Sequence, residues 1–279
     1  MLPQGLFSTV FIIPIFNLLV GFYKLFLTLH LPGAFGLAII ALTGLVRVLF
    51  HPFFKQQMET ARKLQQLKPH LDHLSKKHKN EPKKLQEEQA KLYQQAGINP
   101  ASGCLFMIIQ IPIFIGLYQT LTIFFLHNKG AATIAAINKI LYLPFLKIQT
   151  IDPWFFGLNL ALTPQKMGPA HWYYYLLPLI TAALQYLQVA TSTPPAAAVK
   201  DQKKGDKKDD AGDFQKAMNT QMKFIFPLMI GWFSFTLPVG LSLYWNVFSI
   251  FSIIQNKRIN PNAKLLDLPP LEGMEEKKG

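Results

Sequence analysis

The chain has 279 residues, half of them hydrophobic, with 23 phenylalanines and a formal net charge of +13. Apolar residues and charges occupy separate blocks, which argues against an ordinary soluble domain and fits a polytopic membrane protein of about five or six spans at about 20 residues each. The basic residues lie beside apolar runs, so lipid headgroups and topology account for them better than sequence-specific nucleic acid binding does, and the single cysteine, Cys104, excludes an intrachain disulfide.

Residues 6–29 are apolar and about long enough to span. Asn17, Gly21, Lys24 and Thr28 follow one another at spacings of four, three and four, which gathers them in one stripe along a helix. Residues 1–33 are therefore read as an amphipathic helix on the outer leaflet, with an extra span as the alternative. No basic region precedes the run and no small-residue cleavage site follows it, unlike a signal peptide.

Residues 34–54 form the first apolar segment read as a crossing. It contains Gly36-Leu-Ala-Ile-Ile-Ala-Leu-Thr43-Gly-Leu-Val-Arg47. An arginine near mid-membrane costs about 2.5–3.5 kcal/mol. Two readings of Arg47 stay open at this point. The side chain snorkels towards the end of the span, about ten ångströms away at 1.5 Å per residue, or it serves a wet cavity. Thr43 lies one turn earlier on the same face.

Residues 55–100 read as a charged helical hairpin. Leu64, Leu67, Leu71 and Leu74 make a narrow apolar seam. Residues 73–80 break it, Pro82 restarts a helix at its first position, Leu85 and Leu92 line the second arm, and Gly97 ends it. Lys76, Lys77, Lys79, Lys83 and Lys84 cluster at the tip, where a nascent chain, a ribosome or anionic lipid is a fitting contact. His70, His73 and His78 sit among lysines with no cysteine near, so solvated surface histidines are expected rather than metal ligands.

The other expected spans are residues 103–126, 171–190, 223–237 and 241–259, the last two joined by the tight turn Pro238-Val239-Gly240. Residues 127–170 are too apolar for a free loop. Within them 134–145 and 154–162 are expected to lie flat on the outer surface, with Trp154, Phe155, Phe156 and Trp172–Tyr175 at headgroup level. Residues 191–217 and 260–279 are polar or low in complexity and read as disordered cytoplasmic segments. Ten lysines and arginines lie between His51 and Ser102, six between Thr191 and Met222, and only four between His127 and Ala170. The first two segments and the C-terminus are thereby placed in the cytoplasm, and five spans then put the N-terminus outside.

Several of these passages, in order, resemble the YidC/Oxa/Alb family of membrane protein insertases. Beside the Arg47 span they are Ile98-Asn-Pro-Ala-Ser-Gly-Cys104-Leu with Gln110-Ile-Pro-Ile-Phe-Ile-Gly-Leu-Tyr118, Asp152-Pro with Tyr175-Leu-Leu-Pro178, and Pro238-Val-Gly-Leu-Ser-Leu-Tyr244-Trp245-Asn246. The likeness covers about Asn17 to Ile259. Phe106 stands where the family usually has proline two residues after the cysteine, and the second cytoplasmic loop and the outer segment are long. The large extracytoplasmic domain that many Gram-negative members carry before the core spans is not expected on this reading, and the resemblance is to the short bacterial form.

The resemblance implies an all-α, polytopic membrane protein with a five-helix transmembrane core (residues 34–259) and a cytoplasmic helical hairpin. It implies an insertase and chaperone in the bacterial plasma membrane. Such a protein moves nascent membrane proteins from cytoplasm into the bilayer through a positively charged hydrophilic groove, open to cytoplasm and lipid and closed outside. No nucleotide is hydrolysed and no cofactor or metal is used. The Sec translocon, the ribosome and anionic lipids are candidate partners. Groove candidates are Arg47, Thr43, Gln110, Gln185, Gln188, Tyr244 and Trp245. For Gln110 and Gln185 an interhelical hydrogen bond, about 0.6 kcal/mol on average, is an equal alternative. For Tyr244 and Trp245 the alternative is an aromatic belt. No Walker loop, G-x-S-x-G motif or metal-ligand cluster is present, so no enzyme is expected. Between Glu88 and Asp201 the only acidic residue is Asp152. A secondary transporter, which commonly uses intramembrane carboxylates, is therefore the runner-up, beside a non-catalytic assembly scaffold.

Overall fold

The computed structural model describes residues 5–78, 81–97, 102–125, 131–192 and 221–258. Helices dominate: α1 (Ile13–Thr28, entered through a π-turn at Ser8–Ile12), α2 (Ala34–Leu49), α3 (His51–Lys77), α4 (Pro82–Gln95), α5 (Ser102–Phe125), α6 (Ala131–Lys139), α7 (Leu176–Ser192), α8 (Phe226–Thr236) and α9 (Val239–Arg258). The expected disordered segments fall outside the described residues, apart from Thr191 and Ser192, which complete α7.

The core is built from helical stripes. In α2 the residues Phe35, Ala38, Ile39 and Leu42 are buried at three- and four-residue spacing, and they meet Phe16, Leu19, Val20 and Tyr23 of α1 in the same cluster. Tyr23 and Phe35 pack edge to face with ring centroids 5.6 Å apart. Helix α9 packs against α2 on one side and α7 on another, and α7 also packs against α8. Gly231 of α8 permits that approach: a Cβ there would lie 2.9 Å from the Ala182 Cβ and 3.2 Å from the Pro178 carbonyl. Large apolar side chains face outward instead, among them Leu179, Leu187, Leu228, Trp232, Ile250 and Ile254. An apolar exterior around a seam of buried polar groups is how a bundle in lipid is arranged.

The segment 34–54 is not one straight span. Helices α2 and α3 meet at Phe50 with a bend of 69°. The cause is Pro52, which has no N–H to donate to the carbonyl four residues earlier. Helix α3 then runs on to Lys77, so the break expected at 73–80 is confined to its end. Pro82 opens α4, and Gly97, at φ +60°, closes it. Leu67, Leu74, Leu85 and Leu92 zip the two arms together. The histidines correct the expectation of solvated side chains. His70 is buried at 8% exposure, and His78 is largely covered while it faces Glu81 at 3.5 Å.

The expected span at 171–190 starts late, because Pro169–Tyr175 is a 3₁₀ stretch leading into α7. Residues 131–175 combine α6, short 3₁₀ turns and a two-stranded antiparallel ribbon, β1 (Trp154–Phe155) and β2 (Leu158–Asn159). Phe156 (φ 45°) and Gly157 (φ 84°) form its two-residue turn, as right-twisted hairpins require. This layer is bolted to the helices by backbone groups. The first N–H groups of α9, on Val239 and Gly240, donate to the carbonyls of Leu162 and Leu160, both at 2.9 Å, which satisfies donors that a helix start leaves open. The Asp152 N–H donates to the Tyr23 hydroxyl at 3.0 Å.

The polar stripe of α1 has the same use. Asn17 is buried; its Nδ2 donates to the Ile140 carbonyl (3.0 Å) and its Oδ1 accepts from the Tyr142 N–H (2.7 Å). At Asn17 the stripe is thus a docking face and not a wet one. Among the described residues, Ser8–Thr28 is the one unbroken helix long and apolar enough to cross a membrane, and the bent α2–α3 pair passes if taken as one span.

Candidate functional site: a guanidinium seat in the helix bundle

Arg47 lies in the last turn of α2 with 3% of its surface exposed. It does not run along the helix towards the bend. It turns across onto α9, where Nη1 donates to Gln255 Oε1 (2.9 Å) and Nη2 to the Phe248 carbonyl (3.0 Å) and to Ser252 Oγ. The guanidinium carbon sits 3.8 Å from the Phe248 ring centroid and 4.3 Å from that of Phe54. Two aromatic faces and charge-assisted bonds to neutral oxygens carry a cation that the bundle would otherwise exclude. Among the described residues no carboxylate pairs with it, and the described helices other than α3 and α4 contain no acidic residue.

The other groove candidates lie around this seat to different degrees. Thr43 is buried one turn away but spends its hydroxyl on the Ile39 carbonyl of its own helix, at 2.7 Å. Gln185 of α7 is buried and accepts from Ser249 Oγ at 2.6 Å, one residue from Phe248. Gln188, a turn further along α7, is half-buried. Tyr244 is buried with its ring 5.9 Å from Phe248. Trp245 instead stacks on Phe114 of α5, with centroids 5.4 Å apart and planes 19° apart. The Gln110 side chain lies outside the described residues. So do Lys79 and the side chain of Lys76; Lys77, Lys83 and Lys84 are exposed, and Lys84 pairs with Glu81 at 3.3 Å.

The seat also depends on residues that sequence reasoning passed over: Phe54, Phe248, Ser249, Ser252 and Gln255. A signal for most of them was present. Ser242, Ser249, Ser252 and Gln255 recur at spacings of seven, three and three along an apolar helix, which marks one polar face. Ser242 joins Ser234 of α8 (2.7 Å), which joins Thr181 of α7 (3.2 Å), so the polar seam continues along α9 away from Arg47. Among the described residues no group of three or more His, Cys, Asp or Glu side chains is placed to hold a metal.

A buried arginine on a serine- and glutamine-lined seam, in a bundle with an apolar exterior, fits the resemblance read from the sequence, and comparison with known proteins decides it. The model of the family described as 60Kd inner membrane protein matches residues 26–265. The chain belongs to the YidC/Oxa/Alb family. It is 35% identical over 235 residues to the inner membrane protein ALBINO3 of Arabidopsis thaliana chloroplasts, covering 81% of this chain and 46% of that one. To the chloroplastic inner membrane ALBINO3-like protein 1 of Chlamydomonas reinhardtii it is 34% identical over 237 residues, with coverage of 80% and 43%. To the membrane protein insertase YidC of Granulibacter bethesdensis it is 31% identical over 248 residues, with coverage of 88% and 38%. The chain thus spans about half the length, or less, of these family members.

Proposed function

We propose that this protein is a membrane insertase of the plasma membrane. It takes nascent membrane proteins from the cytoplasmic side and passes them into the bilayer along the face where α2, α7 and α9 meet. The observation that carries this reading is the Arg47 seat: one cation, buried among neutral polar groups and aromatic rings, inside a bundle whose exterior is apolar. Relatives named membrane protein insertase YidC support it.

The physical task is to carry polar parts of a client past hydrocarbon, where each unsatisfied backbone group costs several kcal/mol. Gln185 and Gln188 offer hydrogen-bonding partners partway across, Thr43 adds only an acceptor oxygen because its proton is held by Ile39, and Arg47 adds positive potential that draws acidic or carbonyl-rich segments. Tyr244 and Trp245 give the passing chain an apolar wall. Transfer of the client's apolar segment from water into the bilayer supplies the driving free energy, so no nucleotide is needed. The core is the five helices α2, α5, α7, α8 and α9, α1 lies at the outer leaflet, and the α3–α4 hairpin reaches into the cytoplasm to meet the emerging chain.

The test is photocrosslinking to a stalled single-span client. A photoreactive side chain at Gln185 or Gln188 should capture the client, and one at the outward-facing Leu179 or Trp232 should not. Equal capture from all four positions would place the client on the lipid-facing exterior and overturn the groove.

A further inference from the structure

The polar seam along α9 changes character partway. Towards the Arg47 end it is short of partners: Arg47 Nε and Asn246 Oδ1 are both buried with no hydrogen-bond partner among the described residues. A buried polar atom in that state calls for water or a ligand group. Ser242 stands one turn before Asn246 on the same face of α9, and from there every hydroxyl proton has an acceptor within the protein. Thr181 donates its proton to the Leu177 carbonyl of its own helix, at 2.9 Å. Its oxygen therefore accepts from Ser234 of α8, 3.2 Å away. Ser234 Oγ in turn accepts from Ser242 Oγ at 2.7 Å, a closer partner than the Ser234 carbonyl at 3.4 Å. The three hydroxyls form one directed chain across α9, α8 and α7, and all three are buried, Ser234 and Ser242 completely. Gly231, one turn before Ser234, lets α8 and α7 touch beside the chain with no side chain between them.

We propose that the hydroxyl chain of Thr181, Ser234 and Ser242 is the seal of the seam: water reaches from the Arg47 end as far as Asn246 and stops at Ser242. This rests on the groove reading above and adds where the wet path ends and which residues end it. The three are positioning residues, because they hold α7, α8 and α9 together with bonds that ask nothing of water. Hydroxyls suit the task in lipid. Apolar side chains gain little by meeting each other there, since lipid tails are as apolar as they are, whereas paired hydroxyls and small residues at close approach do hold helices together. The chain also ends on a backbone carbonyl, so it does not carry a file of water further outward. Beyond it the N–H groups of Val239 and Gly240 are taken by the Leu162 and Leu160 carbonyls, which leaves the outer side of the seal satisfied as well.

The experiment uses the full chain in inverted membrane vesicles, whose outer face is the cytoplasmic one, in a Cys104→Ala background. Asn246→Cys and Ser242→Cys are each treated with a small, charged, water-soluble thiol reagent. Asn246→Cys should react about tenfold faster than Ser242→Cys, or more. Ser234→Gly removes the middle hydroxyl and leaves a polar gap of about one water, so adding it to Ser242→Cys should raise the rate about tenfold. Thr181→Ser, which keeps its hydroxyl, should leave the rate of Ser242→Cys unchanged. Equal rates at the two positions, or a Ser242→Cys rate indifferent to Ser234→Gly, would overturn the seal; client capture from Gln185 or Gln188 in the same membranes would then leave the groove standing. No reaction at either position together with no capture would overturn both. If the Ser234→Gly protein does not accumulate, the comparison of Asn246→Cys with Ser242→Cys decides alone, and equal rates reject the seal.

Discussion

Arg47 stands where a charge is costly, and everything it touches lowers that cost without neutralising it. Its substitutions should therefore rank by charge. If the guanidinium offsets about half of the roughly 3 kcal/mol cost of a client carboxylate at mid-membrane, Arg47→Ala lowers insertion of an acidic client about tenfold. Arg47→Lys should retain more activity than alanine, though not all, because an ammonium cannot fork between the Phe248 carbonyl and Gln255; Arg47→Glu should be worst. Equal activity across the three would mean that the residue is only structural. A second residue-scale contact lies at the other end of α2. Gly33, at φ +69°, turns the chain into that helix, and Phe155 of the ribbon fills the space over Gly36, where a Cβ would stand 2.1 Å from a ring carbon. Gly36→Val should cost about 1–3 kcal/mol through overpacking. Phe155→Ala should recover part of that loss in the double variant, measured as thermal stability in detergent.

At the scale of elements, the hairpin α3–α4 carries its charge at the tip and its cohesion in a leucine seam. Replacing Lys76, Lys77, Lys79, Lys83 and Lys84 together by glutamine should slow client insertion and leave the topology unchanged, since five other basic residues remain between His51 and Ser102. Inverted topology with a normal rate for correctly oriented molecules would reduce the tip to a topogenic signal. The tip also has an acid limit. Glu81 is held below the usual carboxylate range first by its hydrogen bond to Lys84, then by the charge of Lys84 and by His78. Its pairs are intact above the ordinary glutamate range and are lost only as the pH falls through the lower folded value. The tip should therefore loosen only below the ordinary glutamate range and not between pH 7 and 5, with exchange of the Glu81 and Leu85 amides as the measurement. Much of this level was readable in sequence because local chemistry decides it: Pro82 and Gly97 delimit α4, and Pro238 separates α8 from α9. Less local features were not. The Phe50 bend depends on one missing N–H at Pro52 within a run that reads as a continuous span. The serines of α9 show a period but not their partners, since nothing in the sequence pairs Ser252 with Arg47 or Ser249 with Gln185. Likewise, the fit of Phe155 over Gly36 joins residues far apart in the chain and exists only once the ribbon is folded.

For the whole molecule, the layer formed by residues 131–175 closes one end of the bundle, and Asn17, Tyr23, Val239 and Gly240 hold it there by hydrogen bonds. Arg47 and the α3–α4 hairpin lie towards the other end. That polarity suits a path entered from the cytoplasm and sealed outside. The proposed place of α1 at the outer leaflet predicts that a cysteine at the exposed Leu6 reacts with an impermeant reagent from outside; reaction only from the cytoplasm would make α1 a sixth span. The most direct measurement is insertion by the purified protein alone, in lipid vesicles of defined composition, with a small single-span client and no nucleotide. The expected result is a protease-protected client fragment well above that of protein-free vesicles and strongly reduced for Arg47→Ala. Protection no greater than in protein-free vesicles would contradict an insertase that works through its own helices.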